Sequence, residues 1–359
     1  MLPYTISFII TTLIFVLYRT KKKSAFRFDR TLLIFSMIPL ITLGTFRDVS
    51  IGTDTAVYLR GFYKHDNFDH LIENISLFSE FGFVFMSTGI NILFSDHRYY
   101  FFALISIILF LYLKSILRIS KYPLYSLLCF LLLGSFTFHF NGARQGTTLA
   151  ISALSLIFIF EKKPLKFYLT ISIGFLFHKS ILLCMLFYYI FNIGFTKKTV
   201  FWIITCCTVF GIFVSNLVEI ASQFDGRYSG YASDEYEGGG LVTVLFNICI
   251  FLWLFTAKKI NKIKNKIYDV TLVAMLCCSA LGTVSIILNL NPSGILRLTL
   301  YFSQLMIFGL PISIMSFRNE FSRYFLILLS LILMVIYFYL TTLSFAKLYP
   351  FTYDLPSIY

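Results

Sequence analysis

Charge is scarce in this chain. Asp, Glu, Lys and Arg make up 13% of its 359 residues, about half the usual soluble share of roughly 25%. A water-soluble fold needs more charge than that on its surface, so this class is excluded. Acids are scarcer still, at 17 against 30 basic residues. The resulting +13 does not read as nucleic-acid binding, because no basic stretch is interleaved with aromatics. The seven cysteines, Cys129, Cys184, Cys206, Cys207, Cys249, Cys277 and Cys278, form no Cys-x-x-Cys pair. All sit in apolar runs and read as small hydrophobes, not as disulfides or metal ligands. His65, His70, His97 and His139 have no ligand-like spacing. No phosphate loop, dinucleotide glycine motif or nucleophile elbow occurs. Neither a metal nor a cofactor is expected.

What fills the chain is apolar. Hydrophobic residues reach 58%, with 43 Phe and 23 Tyr, and mean hydropathy is +0.82. A bilayer accommodates such a surface. The first apolar run, residues 3–18, is followed by its basic residues and by no small-residue cleavage site, so it reads as a retained span. The expected fold is all-α: one polytopic domain over residues 1–359, with about 12 crossings plus a re-entrant segment.

Basic clusters set the orientation. They are Arg19–Arg30, Lys114–Lys121, Lys162–Lys166, Lys197–Lys198, Lys258–Lys266 and Arg318–Arg323, and the positive-inside rule puts them in the cytoplasm. Loops at 47–80 and 218–240 then face outward. So do residues 290–297, the tail from Ala346 and both termini. Residues 81–95 are too short to cross and read as re-entrant or interfacial. Residues 168–195 read as a broken hairpin, whose non-helical backbone must line protein or water.

Ionisable residues at span ends are costly and therefore candidates for function. Arg47 opens the stretch Gly52-Thr53-Asp54-Thr55-Ala56-Val57-Tyr58. There Gly52 allows a tight turn, and Thr53 or Asp54 can cap a helix from near Ala56. Arg47 could equally be an interfacial anchor and Asp54 only a cap. Glu80 heads Glu80-Phe81-Gly82-Phe83 and could favour a helix N-terminus or line a cavity. Arg144, in Asn141-Gly142-Ala143-Arg144-Gln145-Gly146, interrupts an apolar stretch. Its forked donors suit phosphate, although a snorkelling anchor is the bland alternative. His178 and Lys179 lie in the broken hairpin, and Arg297 is one more outward cation. Cations can stabilise charge growing on a phosphate leaving group. A carboxylate or His can take a proton from an attacking hydroxyl.

In order and spacing, these motifs resemble the EpsG family, which belongs with the Wzy-type O-antigen and capsule polymerases. The resemblance runs from Phe46-Arg47 and Gly52-Thr53-Asp54-Thr55 with Tyr58, through Glu80-Phe81-Gly82-Phe83, Arg144-Gln145 and Phe177-His178-Lys179-Ser180, to Arg297 with Tyr301-Phe302. One departure is visible. A small apolar residue often follows the Arg-Gln pair in the family, and here Gly146 and two Thr follow. The resemblance implies a GT-C-like helical architecture in a bacterial inner membrane and no nucleotide sugar. It implies a polymerase joining undecaprenyl-pyrophosphate-linked oligosaccharides, as donor and acceptor, on the periplasmic face. A chain-length regulator is the partner it implies. On this reading Arg47, Arg144, Arg297 and Lys179 bind pyrophosphate. Asp54, Glu80 or His178 acts as base or orients the acceptor, with Tyr58 and Gln145 in support. A flippase, a ligase and a membrane O-acyltransferase are the alternatives.

Overall fold

The structure, a computed structural model, describes residues 1–20, 26–64, 80–224, 240–288, 290, 292–344 and 347–355. Of the two loops expected outside, at 47–80 and 218–240, residues 65–79 and 225–239 fall beyond these. So do Asp66, Asp69, Glu73, His65 and His70. Among the described residues there is no strand, only an isolated bridge pairing Arg47 with Tyr353. The all-α expectation holds.

Among the described residues seven helices are long and apolar enough to cross a membrane. One bent pair, Gly294–Ser303 with Met306–Met315, folds by 47° and makes an eighth. The dozen crossings expected from hydropathy is not confirmed among the described residues. Three apolar stretches, Phe81–Phe94, Pro123–Leu132 and Lys179–Ile193, fold as helices of 10–17 residues. At 1.5 Å per residue these measure about 15–25 Å, against a hydrocarbon core of roughly 30 Å. Hydropathy alone does not separate such pieces from full spans.

The chain divides into two compact units. The first comprises Met1–Leu154, Ser172–Lys179 and Leu326–Tyr359, and the second Ser155–Ile171 and Ser180–Phe325. In the first, α1 (Leu2–Thr20) packs on α2 (Phe26–Thr45), and α2 packs on α5 (His97–Ile119). The short α3 (Thr55–Lys64) lies beside α4 (Phe81–Phe94), which also touches α5. Asp96 starts α5 by accepting the Arg98 N–H at 2.8 Å, an N-cap that satisfies one orphan donor. The 23 residues of α5 extend about 35 Å, enough to span. By contrast α4 has 14 residues and runs alongside α3. Phe83 near its start packs on Tyr58, with centroids 5.8 Å apart, and Asn91 near its end donates to the Phe62 carbonyl at 2.9 Å. At 14 residues α4 is too short to cross on its own.

One end of the first unit is tied together by the tail. Asp354 N–H donates to Phe46 O at 2.8 Å, Asp48 N–H to Thr352 O at 3.0 Å and Gly52 N–H to Lys347 O at 2.9 Å. The Tyr4 hydroxyl donates to Leu348 O at 2.9 Å, so the N-terminal helix begins at the end where the tail finishes. Asp48 also turns the 46–55 loop on itself. Its carboxylate accepts the Ser50 hydroxyl at 2.6 Å and the Ser50 N–H at 2.9 Å. Those bonds hold it below the usual carboxylate range.

In the second unit the central helix is Lys266–Ile287. It packs against Lys197–Phe224, Leu241–Asn261 and Pro292–Ser303. Tyr301 of the last helix bonds to the Ser180 hydroxyl at 2.9 Å. Phe167 and Tyr168 pack against Tyr188 with tilted rings, their centroids 5.5 and 5.9 Å away. Contacts twenty residues apart confirm that the chain doubles back after α9 (Pro164–Phe175).

Because Tyr4 and Leu348 share one end, reporters fused to the two termini are expected on the same side of the membrane. A protease-protection or fusion assay placing them on opposite sides would contradict this packing.

Candidate functional site

Two of the sequence motifs meet through backbone-scale contacts. Gly52 has φ +92, a left-handed conformation that glycine adopts without penalty. A Cβ there would lie 2.5 Å from the Phe140 carbonyl oxygen. The close approach lets Thr53 N–H donate to Asn141 Oδ1 at 2.8 Å. Thr55 Oγ1 donates to Ile51 O at 2.6 Å, with Phe140 O at 3.3 Å. The loop before α3 is thereby fastened to the turn before α8 (Ala143–Phe160). Asn141 was not singled out in the sequence. An Asn before Gly at a break in an apolar run was the available signal.

A second glycine joins the next two motifs. Gly82 N–H donates to Leu176 O at 2.8 Å, and a Cβ on Gly82 would sit 2.9 Å from the Leu176 Cβ. Leu176 belongs to the turn that ends α9, where Phe177 and His178 N–H both donate to Gly174 O at 2.9 and 3.1 Å. A 3-10 helix, Lys179–Leu186, follows. The helical break expected in this hairpin therefore falls at His178.

These approaches assemble Glu80, Arg144 and His178. Glu80 precedes α4, yet its side chain makes no capping hydrogen bond. One carboxylate oxygen, Oε2, accepts from Arg144 Nη1 at 2.5 Å. The other, Oε1, is hydrogen-bonded to His178 Nδ1. Glu80 is 4% exposed, while the Arg144 and His178 side chains remain 30% and 26% exposed. The acid is thus buried behind two accessible partners. Arg144 lies in the first turn of α8, where the helix dipole disfavours a cation; Glu80 offsets that. The Arg144 guanidinium carbon lies 5.9 Å from the centre of the Tyr58 ring. Burial raises the Tyr58 phenol above its ordinary value despite the pull of Arg144, so it stays neutral. His178 Nε2 makes no hydrogen bond among the described residues.

The other candidates are placed differently. Asp54 is half-buried, accepts the Thr53 hydroxyl at 3.0 Å and gives its carbonyl to the N–H groups of Val57 and Tyr58. Gln145 is buried. Arg47 was expected to face a phosphate, but it is only 3% exposed. Its Nη1 donates to Gly44 O at 2.5 Å. Its guanidinium carbon sits 3.8 Å from the Phe101 ring centre and 4.8 Å from that of Phe140. Cation–π contact of this kind holds a desolvated charge in place. Lys179 closes the first unit's middle segment, and Arg297 belongs to the second unit. His97, set aside in the sequence as incidental, is hydrogen-bonded on both ring nitrogens, to Tyr63 at 2.9 Å and Asp354 at 2.8 Å.

The sequence profile of the EpsG family matches residues 30–353, nearly the whole chain. The chain belongs to the EpsG family. Its members are Wzy-type polymerase-like, and membership makes this chain a membrane protein of polysaccharide biosynthesis. No curated protein and no solved structure matches it.

Glu80→Ala in this EpsG-family chain would orphan Arg144 and His178 together. Removing one partner of a buried ion pair costs about 3–5 kcal/mol, and the exposure of Arg144 reduces this to about 1–3 kcal/mol. Thermal unfolding of the purified protein in detergent checks it; an unchanged midpoint would contradict the pairing. Gly82→Val is expected to push α4 off Leu176 and lower the midpoint similarly, about 1–3 kcal/mol from overpacking.

Proposed function

We propose that this protein polymerises lipid-pyrophosphate-linked oligosaccharide repeat units at the periplasmic face of a bacterial inner membrane, using Glu80, Arg144 and His178. The observation that carries the reading is the buried Glu80 carboxylate holding Arg144 on one oxygen and His178 on the other. A carboxylate on Nδ1 fixes the imidazole tautomer, leaving Nε2 as the proton acceptor. The Arg144 side chain is 30% exposed beside Glu80, and a guanidinium suits a phosphate oxygen.

The proposed reaction is a glycosyl transfer. A hydroxyl of the incoming unit attacks the anomeric carbon of the growing chain. A new carbon–oxygen bond forms there, and the bond to the pyrophosphate oxygen breaks. The electron pair leaves with undecaprenyl pyrophosphate, facing Arg144. The hydroxyl proton passes to His178 Nε2. Glu80 stabilises the imidazolium that results, as a carboxylate does for a base in acyl transfer. Anchoring both reactants in one membrane plane supplies proximity. Tyr58 lies beside Arg144 and supports it, and Lys179 and Arg297 remain proposed phosphate contacts. In this scheme Arg47 serves as the desolvated post of the 46–55 loop. A chain-length regulator is the proposed partner.

The test is a deletion complemented by variants, read by gel and by sugar composition. Loss of the protein is expected to leave single repeats on the acceptor. No repeat at all would indicate a flippase or ligase, and full-length polymer lacking an acyl group an acyltransferase. Arg144→Ala and His178→Ala, at normal membrane levels, are each expected to reduce long polymer at least tenfold. Normal polymer from both would rule out this site.

A further inference from the structure

The second unit carries a basic cavity that contains none of the Glu80 cluster. It encloses about 730 Å³ and is lined by Phe191, Gly194 and Ile263 and by Lys258, Lys262, Lys264 and Lys266, with Asp269 as the acid. Four ammonium groups therefore face one carboxylate. Lys258 pairs with Asp269, and Lys266 donates to Asn192 Oδ1 at 3.0 Å. Lys262 and Lys264 are exposed and make no side-chain hydrogen bond or ion pair among the described residues.

Local structure gathers these side chains. The helix Leu241–Asn261 ends at Lys262, a C-cap with φ 49 and ψ 46 whose N–H bonds to Lys258 O. That left-handed position usually takes Gly or Asn. Three residues later Asn265 caps Lys266–Ile287 by accepting the Tyr268 N–H at 3.1 Å. The reversal folds four lysines around one opening.

We infer that this cavity binds the headgroup of an anionic phospholipid. The lysine cluster is cytoplasmic by the positive-inside rule, where anionic lipid is the local partner of basic pockets at helix ends. The surroundings favour a lipid over a free phosphate. Phe195 packs near Phe251 and Phe255, with centroids 6.5 and 6.1 Å away, and Lys259 lies 5.3 Å from the Phe255 ring centre. Leu245, Leu252 and Ile260 on the same helix are exposed. Acyl chains have an apolar face to follow below the charged rim, and an inorganic ion has no use for it.

The test uses purified full-length protein and does not depend on polymerase activity. Native mass spectrometry and thermal unfolding are read with phosphatidylglycerol, with phosphatidylcholine and with glycerol 1-phosphate as probes. Retained adducts and a raised midpoint are expected with phosphatidylglycerol alone. The double variant Lys262→Gln/Lys264→Gln is expected to fold and to lose at least fivefold in adduct occupancy. The control Lys162→Gln/Lys163→Gln, which removes equal charge elsewhere, is expected to keep it. Equal stabilisation by glycerol 1-phosphate overturns the lipid assignment. Equal loss in the control, or undiminished adducts in the double variant, overturns the site.

Discussion

The first unit is organised around a carboxylate that water barely reaches. Burying Glu80 alone would be costly, and so would stranding Arg144 in the first turn of a helix in an apolar bundle. Each offsets the other, and His178 takes the remaining oxygen. Holding all three in register demands close backbone approach. Gly82 supplies it against Leu176, and Gly52 supplies it against Phe140. Much of the local irregularity follows from this demand: the short α4, the broken turn after α9 and the tight loop before α3. Irregular backbone in such a bundle is affordable only where protein satisfies its polar groups, and Leu176 O, Phe140 O and Lys347 O each receive a named partner.

Arg47 and Arg144 show how the same side chain serves two ends. Arg144 has a carboxylate partner and a side chain 30% exposed. Arg47 has a carbonyl and two aromatic faces and almost no exposure. The first stays within reach of the surface; the second is enclosed beside the loop it begins. In the second unit the division is similar. Lys258 is tied to Asp269, while Lys262 and Lys264 extend from a reversal into open space.

Much of this was legible in the chain itself. Isolated charges in an apolar sequence are expensive, so Glu80, Arg144 and His178 stood out one by one. Their meeting did not, because they are separated by 64 and 98 positions from Glu80 and hydropathy carries no pairing information. Arg47 was equally conspicuous, but its enclosure depends on Phe101 and Phe140, two among 43 phenylalanines. The all-helical membrane architecture followed from composition. The span count did not, since a 14-residue apolar helix lying beside α3 has the same hydropathy as half of a crossing. His97 looked incidental because its partners, Tyr63 and Asp354, come from the two sides of a chain fold that spacing cannot disclose.

The tail is held mainly through main-chain atoms. Asp354 N–H, Thr352 O and Lys347 O meet Phe46 O, Asp48 N–H and Gly52 N–H, and no particular side chain is needed for any of these bonds. The bonds themselves depend on the length of the segment more than on its side chains. Exposed positions such as Lys347, Tyr349 and Thr352 can change without touching these bonds, although Leu348 is buried and Phe351 packs on Tyr4; a single inserted or deleted residue would shift every rung and carry Asp354 out of reach of His97.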